Sequence, residues 1–424
     1  MKKITVILFL AAFCSAQSSG QFLSNLFKKQ KQAAATGQPE LTADPTALDI
    51  NRADTLAVVA ADSTEYAAED MMAGPVPHAI DTVRMGLFLP FNASSTPNDN
   101  NLDFLSGVIM AAIDLGNEGI DLVVNTYDIS DKLNPLTGED LESNDVLIGP
   151  IAPSDIKGMY GILPEDRYFV SPLDQKAFAL TDSLRVIHAP VAWNHQATDL
   201  MDWALGDLGP KDALVFVRES GRQLGESFSL ILDSLKAWNV KFSDISYNVA
   251  QGADRTRQMF TACAAQGDGV TRLILASEDP VFATDVMRNA GILKAGKHEV
   301  VLYGPSKIRS FETVDLENLH KANAHLSANY AVDYTDPKLV SFIMAYRTMF
   351  HMEPNSFVFQ GYDLALFLAR ACKQFGTEWV EYLPEMEHKG FQTDFKFIRN
   401  GKTGLENAAV RHQVYNQDFS VSVD

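Results

Sequence analysis

Polar side chains recur at the carboxyl ends of the predicted strands, and through them this 424-residue chain could do chemistry. The apolar run Val83 to Phe91 leads into Asn92-Ala93-Ser94-Ser95, and Asp145 to Gly149 leads into Pro150-Ile151-Ala152-Pro153-Ser154. Tyr168 to Ser171 stops at Ser171-Pro172, Ala213 to Arg218 at Glu219-Ser220-Gly221, Arg272 to Ala276 at Ser277-Glu278-Asp279, and Val300 to Tyr303 at Gly304-Pro305-Ser306. Open parallel sheets bind ligands at these ends. Ser154 is expected as a helix N-cap, beside backbone N–H groups that would take a carboxylate or phosphate. Each segment alone is an ordinary turn, and Glu278 or Asp279 equally well caps the helix that follows; the repetition is the signal.

Catalytic patterns are missing from the sequence. No GxSxG, HExxH, CxxC or GxGxxG occurs, and the histidines never stand at i,i+4 spacing on a helix. Gly291 to His298 misses the phosphate-loop pattern by one residue, with His298 where a magnesium-binding hydroxyl belongs, and it follows a helix instead of a strand. With no nucleophile and base to name, the chain reads as non-catalytic, with no cofactor and no metal.

The elements that would carry these ends are legible as an alternation. Asn101 is expected to cap a helix over LDFLSGVIMAAIDLG, and Asp121 to Tyr127, Phe242 to Val249 and Leu326 to Val332 read as further strands. Helical patterns lie between, at Leu224 to Trp238, Arg255 to Ala265 and Val281 to Ala290. Such alternation predicts parallel sheets with helices on both faces, and the length calls for two. Gln392 to Ile398 and Ala408 to Tyr415, around Arg399-Asn400-Gly401, read as an antiparallel hairpin.

Composition sets the partners. With 54 acidic against 35 basic residues and a formal charge of -19, nucleic acid is excluded, since it rewards clustered Lys and Arg. Met1-Lys2-Lys3, the apolar Ile4 to Phe13 and the small residues Cys14-Ser15-Ala16 read as a secretory signal over 1–16, too short to span a bilayer. Residues 17–80 read as a disordered linker, within which Phe22, Leu23, Leu26 and Phe27 could form a short membrane- or partner-docking helix. The expected location is periplasmic or exported, membrane-associated if that segment docks. Cys263 and Cys372 are expected as two separate buried thiols.

IGPIAPS, YFVSPLD, the strand end before Leu224-Gly225, YGPSK, and the long stretch Tyr334 to Ala371 together resemble the periplasmic solute-binding proteins of the branched-chain amino-acid type. The chain also resembles envelope proteins in which this fold follows peptidoglycan-binding LysM modules. The resemblance implies a type I periplasmic binding protein fold: α/β, with two Rossmann-like lobes built on parallel sheets and joined by a three-crossover hinge. Lobe 1 would be 83–193 plus 329–384, and lobe 2 would be 194–328 plus 385–424. It implies a solute held between the lobes, with Ser94, Ser154, Ser171, Glu219, Leu224, Glu278 and Ser306 as ligand-binding positions and Ser154 and Ser171 on a ligand carboxylate. Two positions depart from the family: Leu224 stands where amino-acid binders carry Tyr, and Ser306 where they carry an acid that pairs the ligand ammonium. A buried ammonium without that acid would cost several kcal/mol. Two functions follow. One is a binding protein that closes on a small polar solute and feeds a membrane transporter or sensor; the other is a cell-envelope scaffold or regulator, peptidoglycan-related and partnered by a cell-wall protein, that has lost amino-acid binding.

Overall fold

The computed structural model describes residues 78–424 and the backbone of a two-residue strand, Thr5–Val6. Apart from that strand and the last three residues of the linker, the segments expected as signal and linker lie outside the described residues. Among the described residues no helix is long and apolar enough to cross a membrane.

Two sheets form, each with the same parallel core order. In the first, β1 (Thr82–Leu89), β2 (Asp121–Asp128), β3 (Val146–Ile148), β4 (Phe169–Ser171) and β5 (Val186–Val191) are arranged β2-β1-β3-β4-β5. In the second, β6 (Ala213–Glu219), β7 (Ser243–Tyr247), β8 (Val270–Ala276), β9 (Glu299–Pro305) and β10 (Ala324–Ala328) are arranged β7-β6-β8-β9-β10. Each order reverses once, between β1 and β3 and between β6 and β8, so each sheet has one crevice at its carboxyl edge where ligands are expected.

The second sheet shows why these runs are strands. Val215, Val217, Leu273 and Leu275 face one core with Phe282 and Val286 of α7 (Pro280–Ala295). Their neighbours Leu214, Phe216 and Ile274 face the opposite core, with Leu200 of α4 (Trp193–Gly206) and Leu235 of α5 (Glu226–Ala237). A strand buried on both faces has no polar side to alternate with, hence the unbroken apolar runs. In the first lobe α1 (Asp99–Asn117) lies against α10 (Ser356–Phe375), backbone to backbone.

Several expectations are corrected. Val186–Val191 is a strand that the sequence pattern did not mark, because His188 and Pro190 interrupt its apolar run. Helix α1 starts earlier than expected: Asn98, not Asn101, accepts the N–H of Asn101 as cap. Cys372 is buried, whereas Cys263, on the last residue of α6 (Ala253–Cys263), is only half-buried. The tail divides differently as well. β11 (Glu387–His388), β12 (Phe395–Ile398) and β13 (Leu405–Asn407) extend the first sheet beyond β5, and only β14 (Arg411–Tyr415) and β15 (Val421–Val423) join the second. The antiparallel partner of β12 is β13, while β14 pairs with β10. Residues 387–407 thus complete the first sheet, although 385–424 was expected in lobe 2.

The chain passes between the sheets three times, between β5 and α4, between β10 and α9 (Pro337–Phe350), and between β13 and β14. Arg411 joins two of these passages. Its guanidinium donates to the carbonyls of Ala331, Phe391 and Gly390 and to Asp394. Beside it, the wholly buried Asp363 of α10 accepts the N–H groups of Phe391 at 2.8 Å, Gln392 at 2.8 Å and Thr393 at 3.0 Å. Truncation by Asp363→Ala strands two buried donors and a partly buried one. The expected loss is about 3 kcal/mol or more in urea unfolding, at roughly 1–3 kcal/mol per buried group left unpaired. An unchanged midpoint would show that the 390–394 loop is held by something else.

Candidate functional site

The second sheet's crevice contains a cavity of about 630 Å³. It lies between the segment after β6, Glu219 to Phe228, and the segment after β8, Ala276 to Pro280, with Trp193 and Lys307 at its sides. Both walls begin where strands end and helices begin, as the β7-β6-β8 order requires.

Its charges are arranged in pairs. The Arg222 guanidinium donates to Glu219 at 2.9 Å and to Asp279 at 3.0 Å, and Lys307 donates to Glu278 at 2.6 Å. Asp279 also caps α7, accepting the N–H groups of Val281 and Phe282, both at 3.0 Å. The Phe282 N–H, and then Arg222, hold its carboxyl below the usual carboxylate range despite partial burial. Four carboxylate residues line the cavity against two cations, Arg222 and Lys307, so the wall remains acidic overall.

A second cavity of about 410 Å³ adjoins the first and shares Trp193, Ser227, Phe228, Glu278 and Lys307 with it. It reaches the passages between the sheets through Trp193, Asn329 and Tyr330, and touches the first lobe at Gln175. Its floor is the buried surface of Leu200, Phe228 and Ile231. Arg309 lines it, donating to Gln413 at 2.8 Å and to the carbonyl of Tyr330 at 2.9 Å, with its guanidinium 5.0 Å from the centre of the Tyr330 ring.

Of the seven expected positions, four meet here. Glu219, Leu224 and Glu278 line the first cavity, and Ser306 lines the second together with Glu278. Leu224 is half-buried against the apolar core beneath α4 and α5. Ser94, Ser154 and Ser171 line neither cavity. Ser94 is exposed in the turn after β1. Ser154 is exposed and is not the cap: Ala152 holds the N-cap position and Pro153 the first helical one of α3 (Pro153–Met159). Proline's fixed φ and missing N–H suit that first position, which moves the boundary two residues back. Ser171 is fully buried with no hydrogen bond to its hydroxyl.

The loop at the first crevice is already occupied by the protein's own carboxylate. Asp128, at the end of β2, accepts the N–H groups of Phe91 at 3.0 Å, Asn92 at 3.3 Å and Ala93 at 2.8 Å. Burial works against its ionisation, but Ser130 and these backbone donors win and hold its carboxyl low. A ligand carboxylate would find those donors taken. Arg222, Lys307, Arg309 and Trp193 were not singled out in the sequence. Arg222 follows Glu219 by one helical turn's spacing, and Lys307 and Arg309 follow the Tyr303-Gly304-Pro305-Ser306 turn, so proximity to a strand end was the available signal. Among the described residues no cluster of metal ligands occurs.

No family model matches the chain, and no curated protein does. Solved structures do match. A putative branched-chain amino acid ABC transporter protein from Rhodospirillum rubrum superposes with a TM-score of 0.54 at 13% identity, covering 81% of this chain and 100% of that one. A branched-chain amino acid ABC transporter periplasmic ligand-binding protein from Burkholderia xenovorans gives 0.51 at 11%, covering 81% and 94%. Full-length LpoA from Haemophilus influenzae gives 0.51 at 14%, covering 82% of this chain and 60% of that one. With two β-α sheets of identical core order, three passages between them and a cavity at a crevice, the chain carries the two-lobed fold of the type I periplasmic binding proteins.

Proposed function

We propose that this protein is an exported, non-catalytic solute-binding protein whose lobes close on a small polar ligand and which hands it to a membrane transporter or sensor. The observation that carries this reading is the position of the 630 Å³ cavity, at the one place in the second sheet where strand order reverses. Its size suits a small solute. Ligand contact with both lobes would favour the closed form by the differential affinity of the two states. Glu219 and Glu278 supply the polar wall, Leu224 an apolar edge and Ser306 a hydroxyl; Ser94 and Ser154, exposed on the first lobe, would meet the ligand only on closure.

One observation favours the second reading, an envelope scaffold or regulator without a solute. Arg222 and Lys307 are already neutralised, and Asp128 fills the first crevice's donors. A thermal-shift screen of residues 78–424 against amino acids, peptides, sugars and peptidoglycan fragments separates the two. Under the solute reading, one class at a hundred times its dissociation constant adds about 2.7 kcal/mol, and the gain disappears in the Glu219→Gln, Glu278→Gln double variant. No shift with any class, together with capture of a cell-wall protein by the intact chain, would replace the solute reading with the scaffold.

A further inference from the structure

The two adjoining cavities differ in charge, and the difference specifies the ligand. This inference rests on the solute-binding reading and goes beyond it to the ligand's class. The first cavity is acidic, with Glu219, Glu226, Glu278 and Asp279 exceeding Arg222 and Lys307. The second contains Arg309, whose hydrogen bonds go to a neutral amide and a carbonyl; among the described residues no carboxylate forms a salt bridge with it. Arg222 and Lys307, by contrast, are each neutralised by a carboxylate. Arg309 is therefore the lining cation with charge to offer.

Between these poles the lining is neutral. Gln175, Asn329 and Ser306 form no side-chain hydrogen bond among the described residues, so amide and hydroxyl groups that can both donate and accept remain available. Beneath them lie the apolar Leu200, Phe228 and Ile231. Free amides above an apolar floor match a peptide backbone carrying aliphatic side chains. A single amino acid holds its ammonium and carboxylate on one carbon and cannot place them in two separate cavities. In the first lobe Asp128 has taken the N–H groups of Phe91, Asn92 and Ala93, and Ser171, one of the two serines on which the resemblance puts an amino-acid carboxylate, is fully buried.

We propose that the connected cavities bind one short linear peptide, its α-ammonium in the acidic cavity and its C-terminal carboxylate on Arg309. The peptide backbone would lie along Trp193 and the amides of Gln175 and Asn329, contacting both the first lobe and the passages between the sheets. Closure is then read at residues that move with the lobes.

The test is isothermal titration of the full-length protein with an equimolar pool of tripeptides, with the same pool amidated at the C-terminus, with the pool acetylated at the N-terminus, and with single amino acids. The free pool is expected to bind at least tenfold more tightly than either blocked pool and than any single amino acid. Arg309→Gln should weaken the free pool about tenfold while leaving the amidated pool unchanged, and Arg309→Lys should restore part of the loss. Unliganded unfolding midpoints of both variants identify any general loss of structure, and Arg309→Lys keeps the charge comparison usable if Arg309→Gln is unstable. Equal binding of free and amidated pools, or equal sensitivity of both to Arg309→Gln, would overturn the assignment. Binding of amino acids or sugars with no binding of tripeptides would overturn the peptide class and leave the solute-binding reading standing. Absence of binding by every class would remove both.

Discussion

Gly361→Ala is expected to destabilise the protein by about 3 kcal/mol or more, although alanine is the better helix former. A methyl at Gly361 would stand 2.1 Å from the carbonyl oxygen of Phe104, and one at Gly107 would stand 2.0 Å from that of Val358. The obstacles are backbone atoms of the facing helix, so no side chain can rotate away; α1 and α10 must separate. The helix-propensity gain of Gly to Ala, about 1 kcal/mol, opposes this. Overpacking a rigid core typically costs roughly 1–3 kcal/mol and occasionally more, and a double backbone approach belongs at the upper end. Gly116 provides the control, because it lies in the same α1 with nothing within 4 Å of its added methyl. Gly116→Ala is expected to stabilise by up to about 1 kcal/mol. Urea unfolding of both variants decides: a Gly361→Ala protein as stable as the parent would mean that the helices do not meet through their backbones.

Acidification from pH 6.5 to 5 is expected to cost about 3 kcal/mol of stability per pH unit. His188, His325 and His388 are each pushed down to about 4, in every case first by burial. His388, stacked against Phe367 and Phe395, also faces the positive charges of Arg370 and Arg411, and His325 that of Arg272, which disfavour an imidazolium further. A group lowered in the folded state contributes stability above its unfolded value, near 6.5, and loses it as pH falls toward about 4. Asp363 acts in the opposite sense. Burial pushes it up to about 6, against the three backbone donors, so its contribution is fully present below the ordinary 3.8 and is lost as pH rises through about 6. Three histidines outweigh one aspartate, which leaves about two net protons taken up on unfolding near pH 5.5, and each proton is worth about 1.4 kcal/mol per pH unit. Unfolding in urea at half-unit steps measures the slope. His388→Phe keeps an aromatic ring in the stack and should flatten the slope by about 1.4 kcal/mol per pH unit. A stability that holds level across this interval would mean that these histidines are charged in the folded protein.

The residues at the candidate site were legible to different degrees, for identifiable reasons. Glu219, Glu278 and Ser306 could be singled out because the end of an apolar run marks the end of a buried strand, and strand ends are where a parallel sheet presents polar groups. Ser154 was expected as the cap but stands two positions beyond it, because Pro153 takes the first helical position and leaves the cap to Ala152. Ser171 sits at a strand end as expected, but it points into packed protein rather than toward the cavity. Nothing local distinguishes a buried strand-end serine from a cleft serine. Arg222 and Arg309 are alike as sequence; Arg222 has two carboxylate partners and Arg309 none among the described residues, and Asp279, the more distant of those partners, is 57 residues away.

By itself the sequence determined the alternation of strands and helices and the two-sheet count. These follow from burial of strands on both faces and from which residue types are present, and both are local properties. Tertiary structure alone decided which sheet receives the tail. β12 and β13 pair with the first lobe's edge and β14 with the second, and the apolar pattern of a strand specifies that it is buried without specifying against which edge. Tertiary structure also decided which charges are available. Asp128 reaches back 35 to 37 residues to occupy the first crevice's donors, while Arg309, beside a cavity, has no carboxylate partner among the described residues. A charge becomes a binding group only when folding leaves it accessible and unpaired, and that condition depends on groups far apart in the chain.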